Sequence, residues 1–396
     1  MEEHNGTMLR ILSEVLHGQP ASPVAQEQWP AILKELRYQC VFGLIAGQIR
    51  ALGLSEQQVE AYRYLVMQNL HNFYGILDAQ RRATDCLQEA GIAVVVLKGT
   101  AAAVAYPQPD WRCMGDVDLL VHKEAFLDAY HTLSRHGFRP EQEPENYKRH
   151  IGFRSEQGVS VELHDAFSVS NDDARNAFLD QMLFRAIDSA VTRDVCGCPT
   201  PMLPDLENGL VLLAHINQHL HSGLGLRQII DWMYYVKAHL DDAYWDETFS
   251  DAADAIGLRR LAMVVTAMCQ TYLGLSRDIH WCASCVGDPI CDELLDYILL
   301  HGNFGQKIAP KTTTVSIVRL FRNPIRGLRT AQTFGKRTWA LLPAHPWLTP
   351  FAWAYQIRRW VQHGLRHGIT LSGFVDATQE ERRETDFLQR LGVTKI

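Results

Sequence analysis

Two aspartates separated by one residue, Asp116 and Asp118 in the segment GDVDLLV, carry the most chemical content in this sequence. Strand side chains alternate, so both carboxylates project from one side while Val117, Leu119 and Val121 pack on the other. Acids held that close repel each other unless a cation lies between them. An all-oxygen donor set suits Mg²⁺, with Mn²⁺ as the alternative. Upstream, the apolar run IAVVVL leads into Lys98, Gly99 and Thr100. A turn of this kind opening a helix offers backbone N–H groups and a hydroxyl to phosphate oxygens, and the positive helix end favours anions. Downstream, in GVSVELHDAF, Ser160, Glu162 and His164 share one strand face, which makes Glu162 a third carboxylate in the same segment. Two acids bridging a pair of Mg²⁺ ions, with a third beside the acceptor, is the donor set that nucleotidyl transfer requires. A lone D-x-D is more often a solvated strand face; the turn before it and the acid after it shift the reading to a site.

Other residues offer alternatives. Lys98 adds a point charge where phosphate would lie. Arg112, four residues before Asp116, either contacts phosphate or neutralises the carboxylates. His164 either orients a ligand or is a structural histidine. His215 and His219 fall one turn apart on a helix, a spacing able to bind zinc, but the glutamate that a zinc-protease helix carries is missing. Arg227 and Asp231 either line a cleft or form an i,i+4 ion pair. His280, Cys282, Cys285 and Cys291 supply enough donors for Zn²⁺, yet no second C-x-x-C accompanies them, so buried free thiols are the expected state. Trp339, Trp347, Trp353 and Trp360 are expected to pack in a core rather than to stack on bases.

The elements that must position these residues follow from periodicity. Ser55 to Gln58 reads as a capping box, followed by Val59, Tyr62, Val66, Leu70, Phe73 and Leu77 at helical intervals up to a stop near Gly91. Strands are expected at 92–97, 117–121, 149–155 and 159–164, with a helix over 123–136 ended by Gly137. Asn171 reads as the N-cap of a helix reaching Arg185. After the connection CGCPTPMLP, Asp205 reads as the N-cap of another, and a further helix covers 226–240. The expected class is α+β: a small mixed-sheet α/β domain over 91–200, between a helical region over 1–90 and a helical domain over 201–396.

Composition sets the remaining bounds. At 396 residues, 47% apolar and 21% charged, the chain can bury a large core. No run of 18 uncharged apolar residues suggests a transmembrane span, and the acidic N-terminus does not resemble a secretory signal. Nine scattered cysteines fit reduced thiols and a cytoplasmic setting better than a disulfide framework. The net charge of −7 hides an asymmetry: residues 297–375 contain no Asp or Glu but eleven Lys and Arg. Such a stretch points to a triphosphate, a nucleic acid or an anionic surface as partner, or else to the protein's own acidic parts.

Taken together, LKGTAAAVAYPQPDWR, GDVDLLV and VELHDAF resemble the DNA polymerase β-like nucleotidyltransferase superfamily. With HINQHLHSGLGLRQIIDW and the late HPWLTPFAWAYQIRR, they are more narrowly similar to a bacterial family of uncharacterised nucleotidyltransferases, over about residues 60 to 365. The resemblance implies a Mg²⁺-dependent enzyme that binds ATP or another nucleoside triphosphate and moves its nucleoside monophosphate to an unknown acceptor. By position, Gly99 and Thr100 would contact the triphosphate, Asp116 and Asp118 would bind both metals, and Glu162 would complete the site. Two departures are visible: the turn reads Lys-Gly-Thr instead of Gly-Ser, and about fifteen residues separate it from Asp116. A catalytically silent nucleotide-binding protein and an RNA-modifying transferase are the alternative functions.

Overall fold

The structure is a computed structural model that describes residues 2–147, 149–168, 174–220, 222–307, 345–366, 382, 383 and 385–393. It divides into two compact units, Met1–Lys307 with Leu391–Ile396, and Ile308–Arg390. Every described residue that lines the site lies in the first.

That unit opens with α1 (Glu3–Leu16), α2 (Trp29–Tyr38) and a tight 3₁₀ segment over Phe42–Leu52. The long α3 (Glu56–Glu89) starts where the sequence places it. The Ser55 hydroxyl accepts from the Gln58 N–H, and the Gln58 side chain returns a bond to the Ser55 N–H. There follow β1 (Val94–Leu97), α4 (Gly99–Ala103), β2 (Val117–Val121), α5 (Phe126–Arg135), β3 (Arg139–Pro140), β4 (His150–Arg154) and β5 (Ser160–His164). Next come α6 (Ala174–Ile187), β6 (Val191–Val195), β7 (Cys198–Met202), α7 (Asp205–His219) and α8 (Leu226–His239). Asn171 lies outside the described residues. Asp205 is the first helical residue rather than the cap, and its carboxylate accepts from Arg193 at 2.6 Å.

The strands form one mixed sheet of seven, ordered β3-β4-β5-β2-β1-β7-β6. β2 runs antiparallel to β1 and parallel to β5, and this register sets Asp118 directly opposite Glu162. One sheet face buries Val94, Val96, Val117, Leu119, Val161 and Leu163 against Phe73 and Leu77 of α3 and Phe126 and Leu133 of α5. Each such side chain contributes about 1.5–3 kcal/mol on burial, so the register is strongly fixed: a one-residue slip would turn Asp118 into that core. The architecture is α+β, one mixed sheet among many helices, as the sequence implies. The second strand of the β6–β7 hairpin lies in what reads as a connection. Pro199 and Pro201 hide it, because strands with alternate prolines lose donors along one side.

The loop before β2 is clamped from the N-terminal region. A Cβ on Gly43 would fall 2.1 Å from the Trp111 carbonyl oxygen, and one on Gly47 would fall 2.6 Å from the Trp111 ring. Both positions therefore accept only glycine while the loop keeps this path. Asn72 of α3 adds a bond to the Met114 carbonyl at 2.9 Å.

In the second unit, helix Thr349–Arg366 presents Arg358 and Arg359 to solvent. Trp347 is 69% exposed, which corrects the expectation of core packing for that residue. Trp339 falls outside the described residues. So do the cations between Lys311 and Lys336, and Arg337. Lys307, the first cation of the acid-free stretch, is taken by the protein itself: its ammonium lies 2.7 Å from Glu35 and donates to the Leu299 carbonyl.

Candidate active site

Asp116, Asp118 and Glu162 offer one carboxylate oxygen each within 4.8 Å of one another. Asp118 and Glu162 come from paired strands, and Asp116 from the residue that feeds β2, two positions along on the same face. They form one wall of a cavity of about 260 Å³, whose lining also includes Lys98, Gly99, His215, His219, Arg227 and Phe304. A larger cleft of about 740 Å³ between β5 and α6, lined by Arg149, Asp165 and Asp180, gathers no such cluster among the described residues. Chemistry rather than volume marks the site.

The cationic partners differ between the three acids. Lys98 Nζ lies 3.0 Å from Asp118 Oδ1, and His164 Nε2 lies 3.1 Å from the same oxygen and 3.3 Å from Glu162 Oε2. Burial acts to raise the Asp118 carboxyl, but Lys98 and His164 hold it well below the usual carboxylate range. For Asp116 burial prevails, reinforced by the Asp118 charge, and its carboxyl is pushed up to about 6. The hydrogen bond from His164 lowers Glu162 against the effect of burial. Burial opposes the charged forms of Lys98 and His164, and the carboxylates overcome it in both, so both are raised. His150 stands opposite His164 across β4 and β5, and with Glu162 the two imidazoles make a second group of convergent donors.

The turn before α4 is strained. Lys98 takes φ +53°, ψ −138°, and Gly99 follows at φ +38°. A lysine held there costs about 1–3 kcal/mol, and such strain concentrates at functional sites. Thr100 departs from its expected part: it is 1% exposed and its hydroxyl donates to Gln80 Oε1. Only its backbone remains for a phosphate.

Arg112 is likewise committed elsewhere. Its Nε and Nη2 donate to the two oxygens of Asp231 at 2.7 Å each, both residues are buried, and the Tyr106 hydroxyl donates to Asp231 at 2.6 Å. Asp231 therefore does not serve Arg227 in an i,i+4 pair. Arg227 instead turns to the cavity: it is 8% exposed, donates from Nη1 to the Cys113 carbonyl at 3.0 Å, and leaves Nε without a partner. Among the described residues no carboxylate lies within ion-pair distance of it. A buried guanidinium in that state favours an anion. Sequence spacing left this open, because an arginine four residues before an aspartate also reads as a helix-surface pair.

On the helical wall, His215 and His219 are neutral. Burial, aided by Lys98, pushes His215 well down; burial, aided by Arg227, takes His219 to about 4. Their Nε2 atoms lie 2.8 Å apart, one ring donating to the other. Zinc finds no third donor there among the described residues, nor at the late cysteines. Cys282, Cys285 and Cys291 are free and buried; burial raises Cys282 to about 11 and Cys291 to about 12, and His280 pairs with Asp242 at 2.9 Å.

No curated protein matches the chain. Among solved structures it is similar to the crystal structure of an antigenic nucleotidyltransferase-like protein from Paracoccidioides brasiliensis, at 14% identity and a TM-score of 0.33, covering 51% of this chain and 93% of that one. A family model described as uncharacterised nucleotidyltransferase matches residues 25–274, a span that holds the strained turn, all three carboxylates and Arg227. The chain belongs to that nucleotidyltransferase family.

Proposed function

We propose that the protein is a divalent-cation-dependent nucleotidyltransferase, which moves a nucleoside monophosphate from a triphosphate to an acceptor hydroxyl or phosphate. The supporting observation is the convergence of Asp116, Asp118 and Glu162 with the cations Lys98 and Arg227 in one cavity. The donor set is all oxygen, and the Lys98 ammonium already rests on Asp118 as a positive charge, so the wall fits Mg²⁺ or Mn²⁺. Held by Asp116, Asp118 and Glu162, such an ion would neutralise the triphosphate and make the acceptor hydroxyl more acidic.

The chain's own groups supply the rest. Lys98 and Arg227 take up negative charge on the phosphates, with the backbone of Gly99 and Thr100 beside them. Glu162 has 29% of its side chain exposed against 5% for Asp118, so of these two paired-strand carboxylates it is the more open to an incoming acceptor. It receives the proton as the acceptor oxygen bonds to the α-phosphorus. The bond from that phosphorus to the β-phosphate bridging oxygen breaks, and pyrophosphate leaves. Incubation with α-labelled triphosphates and a cell extract tests the reading, with pyrophosphate release as second readout. Asp118→Asn and Glu162→Gln are each expected to lower transfer about 100-fold or more. Transfer at the wild-type rate in both variants would falsify the assignment.

A second reading, a silent nucleotide-binding protein, is favoured by the Lys98–Asp118 contact, which neutralises a metal-binding carboxylate from within. Calorimetry with and without Mg²⁺ separates the two. Nucleotide binding indifferent to both the cation and Asp118→Asn supports the silent reading.

A further inference from the structure

Beyond the family-matched span, the turn Gly302–Gly305 reaches the cavity and places Phe304 in its lining. Three of its four residues have positive φ: Gly302 at +67°, Phe304 at +56° and Gly305 at +66°. A bulky aromatic in the left-handed region is a genuine outlier, and it persists only where its surroundings impose it. They do so here. The Phe304 N–H donates to the Gly223 carbonyl at 3.0 Å, and Gln228 Nε2 donates to Asn303 Oδ1 at 2.9 Å. Gly223 lets the two turns touch, since a Cβ there would fall 2.0 Å from Gly305 N.

The strain holds an aromatic ring at the cavity without burying it, since Phe304 is 55% exposed. Around it stand groups that suit one kind of ligand. The Arg227 guanidinium, with its unpartnered Nε, lies 5.6 Å from the ring centroid, and the neutral His219 meets the ring edge-on at 4.7 Å. A site that offers a buried cation for an anion and an open π-face beside it suits a molecule carrying both a phosphate and a planar ring.

We propose that Phe304 is the stacking platform for the base of the nucleoside triphosphate, with Arg227 at the phosphates and His219 backing the ring. This rests on the nucleotidyltransferase reading and adds to it a base subsite built by a segment after the matched span. Because stacking uses a π-face that every base has, the platform predicts tolerance among the four bases.

The test is titration calorimetry in Mg²⁺ on the full chain, comparing α,β-methylene nucleoside triphosphates with inorganic tripolyphosphate. Wild type is expected to bind the nucleotide more tightly than tripolyphosphate. Phe304→Ala is expected to weaken nucleotide binding roughly tenfold while leaving tripolyphosphate unchanged, and Phe304→Trp to restore it. Equal weakening of both ligands in Phe304→Ala means that the residue merely shapes the turn, and it overturns the proposal. So does unchanged nucleotide affinity. Asp118→Asn separates the layers: nucleotide binding lost in it but intact in Phe304→Ala leaves the enzyme reading standing and removes the base subsite. A wild type that binds neither ligand removes both.

Discussion

Asp116 and Asp118 are two residues apart on one strand face and respond to pH in opposite ways. Asp118 has its carboxyl lowered by Lys98 and His164, so its stabilising contribution is present above the ordinary aspartate range and lost as pH falls through its folded value. Asp116 has its carboxyl raised to about 6, so the folded state holds a proton that the unfolded chain releases near 4. Its favourable contribution is complete below about 4 and gone above about 6. Asp116→Asn is therefore expected to raise the melting temperature of the metal-free protein at pH 7.5, with the gain shrinking toward pH 4. Asp118→Asn lowers it at pH 7.5, because Lys98 and His164 lose their counter-charge. Scanning calorimetry from pH 4 to 8 reads both, and a shared sign would contradict this electrostatic picture. The carboxylates were legible from strand alternation, which needs only the sequence. Arg227 was legible only as one of two alternatives: the choice depends on Asp231 being claimed by Arg112, more than a hundred residues earlier.

At the scale of elements, that claim ties the loop before β2 to α8. Arg112 and Asp231 are 4% and 2% exposed, so removing one partner leaves a buried, uncompensated charge. Arg112→Ala and Asp231→Ala are each expected to cost about 3–5 kcal/mol, and the double variant less than their sum. Urea denaturation of the four proteins measures the coupling; additive losses would show that the two residues act independently. The helices and central strands were readable because caps and apolar periodicity agree locally. The β6–β7 hairpin was not, since its prolines argue against a strand while tertiary pairing through β1 holds it in place. The turn at Gly302–Gly305 shows the same limit. Its glycines announce a bend, but the distant contacts with Gly223 and Gln228 decide where the phenylalanine goes.

For the whole molecule, the sheet that carries the carboxylates is not self-sufficient. Its apolar face is covered by α3, and the loop leading to Asp116 rests on the Phe42–Leu52 segment. A fragment of residues 91–200 exposes that face, and it is expected to be protease-sensitive and without cooperative unfolding by circular dichroism. A cooperative transition in the fragment would show the sheet to be independent. The contact between Gly43 and Trp111 has a wider consequence. It makes the spacing of the carboxylates depend on a position more than seventy residues upstream that touches no ligand. A substitution scan scored only by activity would return Gly43 beside the aspartates, and loss of function there would mean misaligned architecture rather than missing chemistry.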